Sequence, residues 1–199
     1  GGKTAQITLL GNSYSNLAHM AVDNDAPTLV DASGNWWGAD DPSTVAALIE
    51  GNVDFTPLLA VGTDTSADPG FQGDFSALVV TAAGGQFGTL GRVQEGIDLV
   101  TSGGTVWVAP GLYREKVQIG KPLALRGSTY EMAKNGMAAS NPGMWDTDVY
   151  SVLQPPADDP GATVVTIGSP ANVVSNVSFE GFVVEALERG ATGDRHLVH

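Results

Sequence analysis

TVWVAPGLYREKVQIGKPLALRG, residues 105–127, decides the fold. It holds three apolar pairs at period two, Val106/Val108, Val117/Ile119 and Leu123/Leu125, each divided from the next by Gly or Pro. Side chains alternate between the two faces of a strand, so each pair marks a short strand with one buried face. Three such strands in one short stretch form a unit that cannot bury its apolar side alone. It needs a neighbour of the same kind stacked on it.

Outward from that stretch the chain supplies neighbours. SALVVTA (76–82) reads as a strand, and GTLGRVQEGIDLVTSGG (88–104) as an amphipathic helix. Val93, Ile97 and Val100 form its apolar stripe, and Gly103-Gly104 ends it. Apolar groups resume at Val164/Val165/Ile167, Val174/Val177/Phe179 and Phe182/Val183/Val184. Between them, residues 128–161 form a long interruption that carries Trp145 and three of the four methionines. Loops of that length in a compact unit are often functional.

Toward the N-terminus, ITLLGN (7–12), MAVDND (20–25) and TLVDASGN (28–35) each run from apolar residues into a turn. GNWWG (34–38) follows, then the turn ADDP (39–42) and STVAALIEG (43–51), which predicts a short helix capped by Ser43 and ended by Gly51. VDFTPLLA (53–60) closes this part. GTDTSADPGFQGD (62–74) has almost nothing to bury and reads as a linker or surface turn.

Composition agrees with short strands and tight turns. The 199 residues are 42% hydrophobic and hold 26 glycines and 11 prolines, more breakers than helical proteins tolerate. Only 16% are charged, and the net charge of −13 excludes nucleic acid and anionic lipid as natural partners. Residues 1–75 carry ten acids against Lys3, whereas residues 76–199 carry twelve acids against eight bases. That asymmetry predicts two units: 1–60, a linker at 61–78, and 79–199. There is no cysteine, hence no disulfide or thiolate site, and no apolar run long enough for membrane insertion. The opening GGKTAQ, without methionine, reads as part of a longer, exported protein.

At Gly88-Thr89-Leu90, Val93-Gln94-Glu95 and Gly96-Ile97-Asp98, followed by GGTVWVAPGLYREKVQIGKPLALRG, the sequence resembles the pectin lyase-like superfamily of right-handed parallel β-helices. Pectin methylesterases share a signature similar to Gly111, Tyr113, Glu115 and Val117 here. ATVVTIGSPANVVSNVSFEGFVV (162–184) resembles a second coil, and GNWWG with the segment after it is similar to the closing coil of large bacterial surface β-helix proteins. The resemblance implies an all-β solenoid with short capping helices: the tail of one β-helix unit at 1–60 and the head of a second at 79–199. The positions that would receive the esterase's catalytic residues lie beyond the matched part, and the hydrolase and pectate lyase motifs are absent.

Candidate sites follow from residue chemistry. In a β-helix, Trp36 and Trp37 cover an open end of the core, or else stack on sugar. Neighbouring strand residues point to opposite faces, so the two cannot be buried in the same way. Trp107 sits between the inward Val106 and Val108 and so points outward. Arg114, Lys116, Lys121 and Arg126 lie within thirteen residues and are expected to face outward near it. A basic strip beside an aromatic suits an acidic polysaccharide such as pectate or alginate, which makes Trp107, Arg114, Lys116 and Arg126 the carbohydrate-binding candidates. The plainer alternatives are a loop folded over Trp107 and a solvated charged face paired with acids such as Glu115. Asp23, Asp25, Asp40 and Asp41 are calcium candidates, although aspartate is also a common turn former and no defined calcium loop is matched. Glu180, Glu185 and Glu188, or Asp158/Asp159, are candidate carboxylate pairs for glycoside cleavage whose separation the sequence does not give, and His19, His196 and His199 fit no triad or metal pattern.

The expectation is an exported or cell-surface β-helix protein that binds polysaccharide or a surface. The alternatives are a carbohydrate-active enzyme of the esterase or lyase type, with its catalytic coils elsewhere, and a structural spacer.

Overall fold

The computed structural model describes residues 7–17, 19–130 and 146–185. Over these residues the chain is predominantly β, with most strands in parallel sheets and two short helices. It opens with β1 (Ile7–Thr8), β2 (Val22–Asn24) and β3 (Val30–Asp31), passes through α1 (Pro42–Ala46), and continues as β4 (Ile49–Gly51), β5 (Val53–Asp54) and β6 (Leu58–Leu59). Strands β1, β3 and β5 pair in parallel, Ile7 against Val30 and Val30 against Val53, while β2 pairs in parallel with β4.

A buried asparagine helps to fix that register. Asn35 is fully buried and lies 23 residues beyond Asn12, whose amide donates to Asn35 Oδ1 at 2.7 Å. Asn35 Nδ2 donates to the carbonyl of Ala32 at 2.7 Å and to that of Leu9. One amide side chain thus satisfies backbone groups on two successive passes that short strands leave unpaired.

The second stretch comprises β7 (Ala77–Val80), α2 (Arg92–Leu99), β8 (Thr105–Val108), β9 (Gly111–Arg114), β10 (Val117–Ile119), β11 (Leu123–Arg126), β12 (Ser151–Gln154), β13 (Val165–Ile167), β14 (Val177–Glu180) and β15 (Phe182–Val184). From β8 onward the chain visits three sheets in turn. Strands β8, β11 and β14 lie in one, β9, β12 and β15 in a second, and β10 and β13 in a third. The registers stack like on like: Leu78, Val106, Leu125 and Phe179 form one inward column. Leu78, Val106 and Leu125 have no exposed surface, and each contributes about 1.5–3 kcal/mol by burial.

The two stretches meet in one sheet. Strand β6 pairs antiparallel with β7, Leu58 against Val79 and Leu59 against Leu78. The segment between them folds back as a hairpin excursion, in which the Thr65 amide donates to the Gln72 carbonyl at 2.8 Å. The last residues of the expected linker are therefore part of β7.

Two buried clusters result, one around Val30, Ala32, Trp37, Val45, Val53 and Phe55, the other around the inward column and α2. The tandem tryptophans are divided between them. Trp37, 1% exposed, lies in the first cluster and stacks on Tyr14 at 4.6 Å, whereas half-buried Trp36 packs against the second. Both flanking glycines, Gly34 and Gly38, hold positive φ, the backbone geometry that lets adjacent indoles leave in different directions. Trp37 has no face left for a sugar.

Three local expectations are corrected. Helix α1 is a single turn from Pro42, capped by Asp41 rather than Ser43, because the Asp41 carboxylate reaches the Thr44 amide at 2.8 Å. Ile49–Gly51 leave the expected helix to pair with β2. Helix α2 begins at Arg92, after Gly91, and not at Gly88. The founding stretch holds four strands, not three, because β9 turns Gly111 and Tyr113 inward and leaves Leu112 outside, a pattern that apolar alternation does not reveal. Trp145, Glu188, His196, His199 and the stretch 131–145 lie outside the described residues.

Candidate functional cleft

Helix α2 is the element that shapes the site, and both its ends are pinned by residues of the turns that flank β10. Its N-cap, Gly91, offers no side chain, so the Glu115 carboxylate takes that role, accepting from the Val93 amide at 3.1 Å and the Gln94 amide at 2.9 Å. At the other end Lys121 Nζ donates to the carbonyls of Asp98, at 2.9 Å, and Val100. An anion at the N-terminus and a cation at the C-terminus both complement the helix dipole. The helix lies close on the strands beneath: a Cβ on Gly96 would stand 2.7 Å from Val80 Cγ2.

This explains the four residues of the esterase-like signature. Gly111, Tyr113, Glu115 and Val117 are all buried and all point inward. Gly111 leaves room for Ala82, the Tyr113 hydroxyl donates to the Ala109 carbonyl at 2.8 Å, Glu115 caps α2, and Val117 joins the core. Here the signature builds the seat of the helix.

The residues between them face solvent. Leu112, Arg114 and Lys116 line a cleft of about 720 Å³. Thr89, Leu90 and Arg92 form its helix side, and Pro156, Asp158 and Asp159 its far side. Tyr113 and Glu115 also border it. Arg114 is exposed and makes no ion pair or hydrogen bond among the described residues. Lys116 approaches Asp159 at 3.5 Å, but both side chains are more than half exposed, so that pair is weak and exchangeable.

Behind the cleft lies a carboxylate cluster that sequence reading missed. Asp54 on β5 is fully buried and takes the Phe87 amide at 2.5 Å. Arg92 stands 3.6 Å from it and donates to the carbonyls of Gly84 at 2.7 Å and Gly85 at 2.9 Å. Burial pushes the Asp54 carboxyl above its ordinary range, and likewise Glu115, against the opposing pull of its amide donors. Glu95 on α2 is pushed up to about 7, first by burial and then by the neighbouring Asp54 charge. The first stretch and α2 therefore meet where the buried Asp54 and the Glu95 carboxyl, both shifted upward by burial, lie beside the Arg92 guanidinium. Nothing local in the sequence marks this cluster, since Asp54 and Arg92 are brought together only by the fold.

The four clustered bases do not form one strip. Arg114 and Lys116 stand at the β9–β10 corner, Lys121 closes α2, and Arg126 lies on β11 beside its register partner Trp107. Trp107 is half-buried and packs against the first cluster, with Tyr130 edge-on at 5.7 Å. The structure thus separates the carbohydrate candidates into a cleft pair and a sheet-face pair.

The calcium candidates are also separated. Asp23 is exposed on β2 and Asp25 in the turn beyond, while Asp40 and Asp41 precede α1. Hydrogen bonds from the Ser43 hydroxyl and from Thr44 lower the Asp41 carboxyl to about 2, so its oxygens already serve the cap. Among the described residues no group of three His, Cys, Asp or Glu is arranged to hold a metal ion, and no helix is long and apolar enough to cross a membrane. No protein-family model, curated protein or solved structure matches the chain.

Proposed function

We propose that this chain is a length of right-handed parallel β-helix from an exported or cell-surface protein, with two units in series, and that it binds an acidic polysaccharide along the α2 cleft. Two features support the solenoid reading: the strands return to the same three sheets in a fixed order, and like residues stack in columns.

The observation that carries the binding reading is the placement of Arg114 and Lys116 on one cleft with exposed leucines. Among the described residues Arg114 makes no ion pair, and Lys116 makes only a solvent-screened one. Leu90 and Leu112 offer apolar surface to the face of a sugar ring, and Asp158 and Asp159 accept from its hydroxyls. The cations take the sugar's carboxylate.

Titration calorimetry with pectate and alginate oligosaccharides tests this. In the double variant Arg114→Ala/Lys116→Ala, affinity is expected to fall about tenfold or more, in line with the loss of two charged contacts. Equal binding by the variant and the parent chain would exclude the cleft.

A further inference from the structure

We propose that Arg126, clamped between Trp107 and Tyr130, is a second ligand site, specific for a single carboxylate group and independent of the α2 cleft. The guanidinium carbon of Arg126 lies 5.0 Å from the Trp107 ring centre and 4.3 Å from that of Tyr130. The rings themselves meet edge-on, with 73° between their planes, so they embrace the cation from two directions. Arg126 Nε is buried and has no hydrogen-bond partner. Among the described residues the guanidinium has no ion pair either. The nearest acid by register is Glu180 on β14, and its carboxylate accepts instead from the Ser178 hydroxyl at 2.6 Å.

A guanidinium keeps its charge at all accessible pH values, and its N–H groups lie in its own plane. Aromatic rings attract its charge but do not satisfy those in-plane donors. Arg126 is therefore a charged fork, partly removed from water and held in place, with its Nε donor unmatched among the described residues. A planar carboxylate accepts from such a fork through two parallel bonds, and a pre-held side chain loses little freedom on binding. The strongly acidic chain and the neighbouring Glu180 disfavour a dianion, which selects a carboxylate over a phosphate. Arg114 and Lys116 belong to a different sheet edge, so the two sites are separable by mutation.

NMR titration of the full chain with glucuronate and acetate reads the site directly. The probes are the Arg126 Nε–H cross-peak, assigned by its loss in Arg126→Lys, and the Trp107 indole cross-peak, assigned in Trp107→Phe. Both are expected to move saturably with either carboxylate, and inorganic phosphate at matched ionic strength should bind about tenfold more weakly. In Arg126→Lys, which keeps the charge but loses the fork, the Trp107 peak should stay fixed while the remaining spectrum reports a folded chain. In Arg114→Ala/Lys116→Ala the Arg126 response should persist, which separates this proposal from the cleft reading. Static peaks in the parent chain would overturn the site, as would a moving Trp107 peak in Arg126→Lys. Phosphate binding as tight as glucuronate would overturn its carboxylate selectivity, and loss of the response in the double variant would overturn its independence.

Discussion

The stretches 7–59 and 77–184 use the same parallel pairing but hold it by different means. In the first, strands are two or three residues long, and side-chain amides and carboxylates do much of the fastening. Asn35 bridges successive passes, Asn24 donates to the carbonyls of Thr28 and Asn52, and Asp41 caps α1. In the second, strands are three or four residues long, and aliphatic columns carry the load under a helix pinned by Glu115 and Lys121. Short strands leave more backbone groups unmatched per pass, so they need polar side chains inside. Longer strands match their own backbone, which frees the interior for Leu, Val and Ile.

The sharpest way to break this contrast is to hollow out each cluster in turn. Trp37→Ala should cost about 3–5 kcal/mol, and Leu125→Ala about 2–5 kcal/mol, because both side chains are essentially fully buried. Hydrogen exchange then locates the damage: protection should fall over 30–59 in the first variant and over 105–126 in the second. If protection falls equally over both stretches in either variant, the clusters are one cooperative body and the contrast fails.

A smaller effect sharpens the account of the helix. Glu115→Ala removes the carboxylate that receives two amides of α2 and should cost about 1–3 kcal/mol in urea melts. Glu115→Gln keeps an acceptor oxygen and should recover part of that loss. No difference between the two would mean that packing alone seats the helix.

The smallest effect tests the junction between the two stretches. Glu95 holds its proton up to about pH 7 in the folded chain, whereas the unfolded chain releases it near the ordinary carboxylate value. The folded state thus binds more protons in that window, and stability falls as pH rises through it, by about 1–2 kcal/mol after allowing for partial exposure. Asp54 and Glu115 are shifted in the same direction. The melting temperature should be higher at pH 5 than at pH 8, and Glu95→Gln should flatten that slope. A chain more stable at pH 8 would remove the carboxylate junction from the argument.

Much of the β pattern was legible because it is written in apolar alternation: Val106/Val108, Val117/Ile119 and Leu123/Leu125 are all buried as that alternation requires. Strand β9 escaped notice because its inward residues are Gly111 and Tyr113, which no hydropathy rule marks as a pair. The role of Glu115 was hidden for a different reason, since the amides it caps lie more than twenty residues earlier in the chain. The basic residues misled by their closeness. Arg114, Lys116, Lys121 and Arg126 are neighbours in sequence, yet a turn after each strand sends the next to a different sheet. Trp107 and Arg126, by contrast, are brought side by side by the parallel register of β8 and β11.

The antiparallel join of β6 to β7 has a practical corollary. Because Leu59 faces Leu78, the excursion leaves and re-enters the protein at adjacent points, and its tip at 67–70 is solvent-exposed. Closing a longer loop costs only slowly more as residues are added. That tip is where a foreign peptide, a fluorophore tag or a protease recognition sequence is best grafted, since a nick there severs the polypeptide without separating the halves.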